Sequence, residues 1–173
     1  MTDFLTEKRT EEAIADTHPG TEAVPRREME FERCLEELPK YFAADGDIVM
    51  SHVLTVLSSV FPDGEDYFVR SVNAVKDRVD DPELLAAVDG FVGQESMHGR
   101  EHRALNDRLG ELGYPTQAIG KYVRAVTAVR ERIQGKKANV AFTAALEHYT
   151  ATLAETLLGD EAARNEIGYP GVR

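Results

Sequence analysis

Phe91-Val92-Gly93-Gln94-Glu95-Ser96-Met97-His98-Gly99-Arg100-Glu101-His102 is the stretch on which the reading of this chain turns. A carboxylate at 95 and imidazoles at 98 and 102 are three and four residues apart, so on an α-helix they share one stripe. With this spacing a single helix offers two ligands to one metal ion in a four-helix di-metal bundle. Phe91 and Val92, directly upstream, turn the stripe inward. A buried carboxylate needs a partner, because leaving it unpaired costs several kcal/mol. A metal ion would be such a partner and would hold the histidine neutral and ligating. Spacing alone equally describes an exposed Glu-His pair on a polar helix face, with His102 a further surface residue.

The run lies in a long predicted helix from Pro82 to about Leu112, started by Asp80-Asp81-Pro82 and ended by Gly113-Tyr114-Pro115. Its apolar face takes in Leu84, Leu85, Val88, Phe91, Val92, Leu105 and Leu109. Upstream, Asp47 can cap a helix carrying Val49, Val53, Leu54, Leu57 and Val60, which Phe61-Pro62-Asp63-Gly64 should break. Asp63 would then cap a separate helix, Glu65 to Val79, with Phe68, Val69, Val72 and Val75 on its apolar side. Before these, Met29, Phe31, Leu35 and Leu38 recur at helical spacing up to Pro39. Downstream, Thr116 to Ile133 and Ala138 to Leu158 are helical, and nothing in the chain alternates with period two. The expected fold class is all-α. Residues 1–25, with His18-Pro19-Gly20 and Pro25 as breakers, are expected to be a flexible N-terminal arm. Residues 26–158 form the helical bundle domain, and 159–173 an irregular tail.

The chain has 173 residues, 42% of them hydrophobic, which suffices for one domain with its own core. With 31 acidic and 20 basic residues its net charge is −11, the wrong sign for a nucleic-acid partner or an anionic membrane surface. No apolar run reaches transmembrane length, and Met1 to Thr10 lacks the apolar core of a signal peptide. The single cysteine, Cys34, allows no intrachain disulfide and reads as a small buried hydrophobe. These features lead us to expect a soluble, cytoplasmic protein.

Two further carboxylates stand out. Glu65, taken as the start of a helix, reads by position as a first-turn Glu stabilised by the helix dipole. Glu147 shares its stripe with Val140, Ala151, Ala154 and Leu158, so it is a charge inside an apolar, small-residue face with room for an ion. His148 and Glu155 lie nearer the edge of that helix; His148 also reads as a boundary histidine with a local hydrogen bond.

Three segments together carry a family resemblance: Phe61-Pro62-Asp63-Gly64-Glu65, the run from Phe91 to His102, and Ala145-Leu146-Glu147-His148-Tyr149-Thr150-Ala151. Over roughly residues 47–158 the chain resembles the bacterial family of predicted metal-dependent hydrolases, itself similar to ferritin-like di-metal carboxylate bundles. The resemblance implies Glu65, Glu95, His98 and Glu147 as metal ligands. It makes His102 an extra ligand or a group that orients the ligands, and by their place on the helix His148 and Glu155 are further candidates for that role. It also implies a fourth ligand helix with a second Glu-x-x-His, and no histidine follows His148. The expectation is therefore a ferritin-like helical bundle, C-terminally truncated or diverged, with a homodimer as one way to complete it.

The implied cofactor is a divalent metal, iron first, as one or two ions, with zinc or manganese as alternatives. The implied function is activation of water or dioxygen toward a small-molecule substrate. The alternative is a degenerate, inactive family member acting as a helical oligomer. The chain has no Gly-rich phosphate loop, no dinucleotide fingerprint and no Ser-centred nucleophile elbow.

Overall fold

The structure, a computed structural model, describes residues 35–168. The expected N-terminal arm, Cys34, and most of the helix expected from Arg26 lie outside the described residues; Leu35 and Leu38 at its end are buried. The chain is an all-α helical bundle. Its helices are α1 (Ile48–Asn73), α2 (Pro82–Glu111), α3 (Thr116–Ile133), α4 (Lys136–Gly159) and a short α5 (Glu161–Ile167). No strand occurs among the described residues, and none of their helices is long and apolar enough to cross a membrane.

α1 is the central element. It packs against α2 most extensively, then α3, α4 and α5. Asp47 caps it as expected, accepting a hydrogen bond from the Met50 amide at 2.8 Å. Asp81 caps α2 through the amides of Glu83 and Leu84, with Pro82 in the first turn where its missing N–H costs nothing.

The expected break at residues 61–64 does not occur: α1 runs straight through Pro62. A helix-interior proline normally leaves the carbonyl four residues back without a donor. Here that carbonyl belongs to Ser58, and the side-chain amide of Asn106 on α2 donates to it at 3.1 Å. The helix is therefore repaired from a neighbouring helix. Asp63, expected as a cap, instead sits mid-helix and forms a two-pronged ion pair with Arg124 of α3, Oδ1 to Nε at 2.8 Å.

The inward face of α1 also differs from expectation. Val49 and Val53 point outward, 74% and 53% exposed, while Ser51, Thr55, Ser58, Ser59, Pro62 and Glu65 are buried. Small polar side chains can be buried because their hydroxyls are satisfied by their own helix. Ser51 donates to Asp47 O, Thr55 to Ser51 O and Ser59 to Thr55 O, all at 2.6–2.7 Å. On α2 the buried residues are Ala87, Gly90, Glu95, Gly99, Asn106 and Leu109. Of the seven apolar residues expected to face inward there, Leu109 alone is fully buried, and Leu84 is exposed. Two stripes of small residues let the helices approach closely.

One end of the α1–α2 pair is dry. Leu38, Phe42, Leu109 and Tyr114 form an apolar cluster, with Leu54, Leu105 and Leu112 packed on it. Tyr114 reaches out of this cluster to donate to the carbonyl of Lys40 at 2.6 Å.

The tail is not wholly irregular, as α5 occupies part of it. Asp160 caps α5 by accepting from the Ala163 amide at 2.9 Å. With only seven residues, α5 shows no readable apolar period. Gly168 follows in a left-handed conformation, φ 78°. A Cβ there would lie 2.5 Å from the Ala44 amide nitrogen, so only glycine lets the chain pass this close to residues 43–44. Residues 169–173 lie outside the described residues.

Candidate metal centre

Toward its other end the α1–α2 pair turns polar, beginning at the middle of both helices. Because α1 continues through Pro62, Glu65 is not in a first turn but mid-helix, one turn beyond the proline and 1% exposed. Gly99 on α2 faces it. A Cβ at Gly99 would lie 2.8 Å from Glu65 Oε2, so the absent side chain makes the space that the carboxylate fills. His98 Nδ1 stands 2.7 Å from Glu65 Oε1, an ion-pair contact. Neither Glu65 carboxylate oxygen has a hydrogen-bond partner of proper geometry, although both are buried. Buried carboxylate oxygens are rarely left this way.

α4 closes the site from the third side. A cavity of about 540 Å³ is lined by Phe61, Glu65 and Phe68 from α1, by Glu95 and His98 from α2, and by Glu147 from α4. Ala151 and Ala154 line it too, and supply the room expected of that stripe. Three carboxylates thus face one cavity, and two of them, Glu95 and Glu147, are shifted by it. Burial, and then the charges of Glu147 and Glu65, push the Glu95 carboxyl up to about 7. Burial and Glu65 likewise raise Glu147 above the ordinary carboxylate range. The Glu65 carboxylate against Nδ1 raises His98, with Glu95 and Glu147 adding to it. Burial is thus the larger cause for the two carboxyls and the contact with Glu65 for His98, with the neighbouring negative charges adding to all three.

His102 belongs to the same group. One ring nitrogen of His102, one of His98 and a carboxylate oxygen of Glu65 all lie within 4.8 Å of one another. The His102 ring stacks on Phe61, centroids 4.6 Å apart and planes 12° from parallel. Nε2 is 3.1 Å from His98 Nε2, and Nδ1 is 2.8 Å from Ser58 Oγ. Burial, and then His98, lower its pKa to about 3, so it is a neutral imidazole at physiological pH.

The structure brings together five of the seven candidate residues: Glu65, Glu95, His98, His102 and Glu147. His148 and Glu155 are not among them. Both are exposed on α4 and neither lines the cavity, because α4 turns its 147–151–154 face inward and they lie off that face. Two residues that shape the site had escaped the sequence reading. Ser58 lies seven residues, two turns, before Glu65, and Asn106 lies four after His102, on the stripe of Glu95 and His98. Those spacings were the available signal.

The donor set fits a divalent cation. Carboxylate oxygens and imidazole nitrogens are what such ions take, and the buried Glu65 carboxylate, whose Oε2 has no hydrogen-bond donor among the described residues, is a group that a cation would satisfy. No curated protein and no solved structure matches the chain. The model of one family, described as predicted metal-dependent hydrolase, matches residues 25–172, which takes in every helix described above, and the chain belongs to that family.

Proposed function

We propose that the cavity between α1, α2 and α4 holds one or two divalent metal ions, iron(II) first, and that the protein hydrolyses a small-molecule substrate there. The observation that carries this reading is Glu65: 1% exposed, with both carboxylate oxygens buried, Oε1 met by His98 Nδ1 at 2.7 Å and Oε2 by no hydrogen-bond donor among the described residues. The raised pKa values of Glu95, Glu147 and His98 support it, since each marks a place where positive charge is wanted.

Glu65, His98 and His102 would hold an ion on the α1–α2 side, and Glu95 and Glu147 would complete the ring from the cavity. A bound divalent metal supplies Lewis acidity and lowers the pKa of a bound water toward neutrality. Phe61, Phe68 and Met97 give the cavity an apolar wall that strengthens the charges beside it. Its volume of about 540 Å³ suits a small molecule. His98, with about half of its side chain exposed, places the centre within reach of solvent.

Anaerobic loading with iron(II), removal of free metal, and elemental analysis test the reading. It expects one or two ions per chain, and for Glu65→Gln a loss of at least about 100-fold in affinity, roughly 2.8 kcal/mol. A wild-type chain that retains no iron, zinc or manganese after loading would sink it.

A further inference from the structure

Pro62, Asn106, Ser58 and His102 form a chain of hydrogen-bonding constraints that ends at the metal-facing nitrogen of His102. We propose that Asn106 and Ser58 are positioning residues that lock His102 as its Nδ1–H tautomer, leaving the Nε2 lone pair free for a divalent cation. The inference rests on the metal-centre reading above and goes beyond it by fixing which atom ligates and what fixes it.

Pro62 has no amide hydrogen, so the Ser58 carbonyl has no helical donor. A carbonyl can only accept, so the Asn106 side chain must present Nδ2 to it, which it does at 3.1 Å. That choice leaves Asn106 Oδ1 facing Ser58 Oγ, 2.9 Å away. Oδ1 can only accept, so the Ser58 hydroxyl spends its one hydrogen there. Its oxygen is then an acceptor toward His102 Nδ1 at 2.8 Å, and Nδ1 must carry the proton. A neutral imidazole protonated on Nδ1 is bare on Nε2. In the metal-free protein that lone pair is met by His98 Nε2 at 3.1 Å, which supplies the hydrogen.

The opposite tautomer would set two acceptors against each other. If Ser58 donated to a bare Nδ1, Asn106 Oδ1 would lose its donor and face another oxygen at 2.9 Å. Ser58 and Asn106 are 5% and 9% exposed, so water is poorly placed to repair the loss. Phe61, stacked on the ring, removes the remaining freedom of orientation. Pro62 therefore does more than survive inside a helix: its missing hydrogen begins the sequence of choices.

The test uses the metal-free full chain with isotope-labelled histidine, read by ring-nitrogen chemical shifts at neutral pH. His102 is expected to be protonated on Nδ1 and bare on Nε2. Ser58→Ala removes the acceptor; the signature should then shift toward the Nε2–H form, and zinc(II) affinity should fall about 10-fold or more. Ser58→Thr keeps a hydroxyl and should restore both. Protonation on Nε2 in the wild type overturns the proposal, as does a Ser58→Ala chain with unchanged tautomer and affinity. If Ser58→Ala does not fold, the wild-type spectrum still decides. A chain that binds zinc with His102 protonated on Nε2 overturns the relay and leaves the metal centre standing. An Nδ1–H His102 in a chain that binds no metal supports the relay and overturns the metal centre.

Discussion

The two ends of the α1–α2 pair are built on opposite principles. At one end Leu38, Phe42, Leu109 and Tyr114 pack dry against Leu54, Leu105 and Leu112. At the other, Glu65 is as deeply buried as those apolar residues and Glu95 is also buried, and His98, His102 and Glu147 crowd beside them. The first end gains free energy from every buried methylene. The second loses it, because three carboxylates in a shared cavity repel one another and are poorly hydrated. A fold can keep such a region only if something else holds the helices together. The apolar end does so, helped by cross-helix ion pairs such as Asp66–Arg103 and Asp63–Arg124. The polar end is then free to be arranged for binding rather than for stability.

This division is most easily broken at Leu109, which is 0% exposed. Leu109→Ala should cost about 2–5 kcal/mol of stability, the range for a buried Leu truncated in a core that cannot collapse around the gap. Denaturant unfolding measures it. Zinc affinity of the folded variant should match the wild type. A variant that loses affinity while keeping its stability would show that the two ends are not separate.

Acid titration probes the other end. The Glu95 carboxyl rises to about 7 in the folded chain, above its ordinary 4.5, so the folded state binds that proton more tightly than the unfolded state does. The metal-free protein should therefore lose stability as pH rises from about 4.5 through 7, by at most about 3 kcal/mol from this group. His102 acts in the opposite sense: lowered to about 3, it makes the folded chain lose stability as pH falls below the ordinary histidine value of about 6.5. Glu95→Gln should flatten the fall between pH about 4.5 and 7 and leave the metal-free protein more stable than the wild type at pH about 7 and above, while weakening metal binding. A stability profile in which Glu95→Gln changes nothing above neutrality would remove the electrostatic half of the comparison.

The same contrast explains what could be read from the residues. Helices with a cap or a stop of their own were legible: Asp47, Asp81 and Gly113-Tyr114-Pro115 mark α1 and α2 locally, and α3 runs from Thr116 to Ile133 as its spacing indicates. The continuity of α1 was not legible. It depends on the Asn106 amide reaching the Ser58 carbonyl, a contact between residues 48 positions apart. Nor was the inward face of α1, because apolar periodicity assumes that valines are buried and hydroxyls exposed. Here Val49 and Val53 face out while Ser51, Thr55 and Ser59 satisfy themselves on their own helix. In the site, the Glu95–His98 spacing was visible at once. Glu65 was disguised as a helix start by Pro62 and Gly64, and His148 and Glu155 looked plausible because a wheel angle does not say which way α4 turns.

Gly99 offers the smallest and sharpest comparison, because it lies on the helix shared by both ends. Replacing a mid-helix glycine by alanine ordinarily stabilises a helix by about 0.5–1 kcal/mol. At Gly99 the new Cβ would lie 2.8 Å from Glu65 Oε2 and 3.3 Å from Arg103 Nη1. Arg103 can move, being about half exposed and tied, among the described residues, to Asp66 and weakly to the Pro62 carbonyl. Glu65 cannot move as freely, because its carboxylate is enclosed. The displacement therefore falls on Glu65, the proposed ligand, and the helix gain offsets its cost to folding. Gly99→Ala should leave unfolding free energy nearly unchanged while zinc affinity falls about 10-fold, roughly 1.4 kcal/mol. If stability falls instead and affinity holds, Gly99 serves helix packing, and the space beside Glu65 is not part of the metal centre.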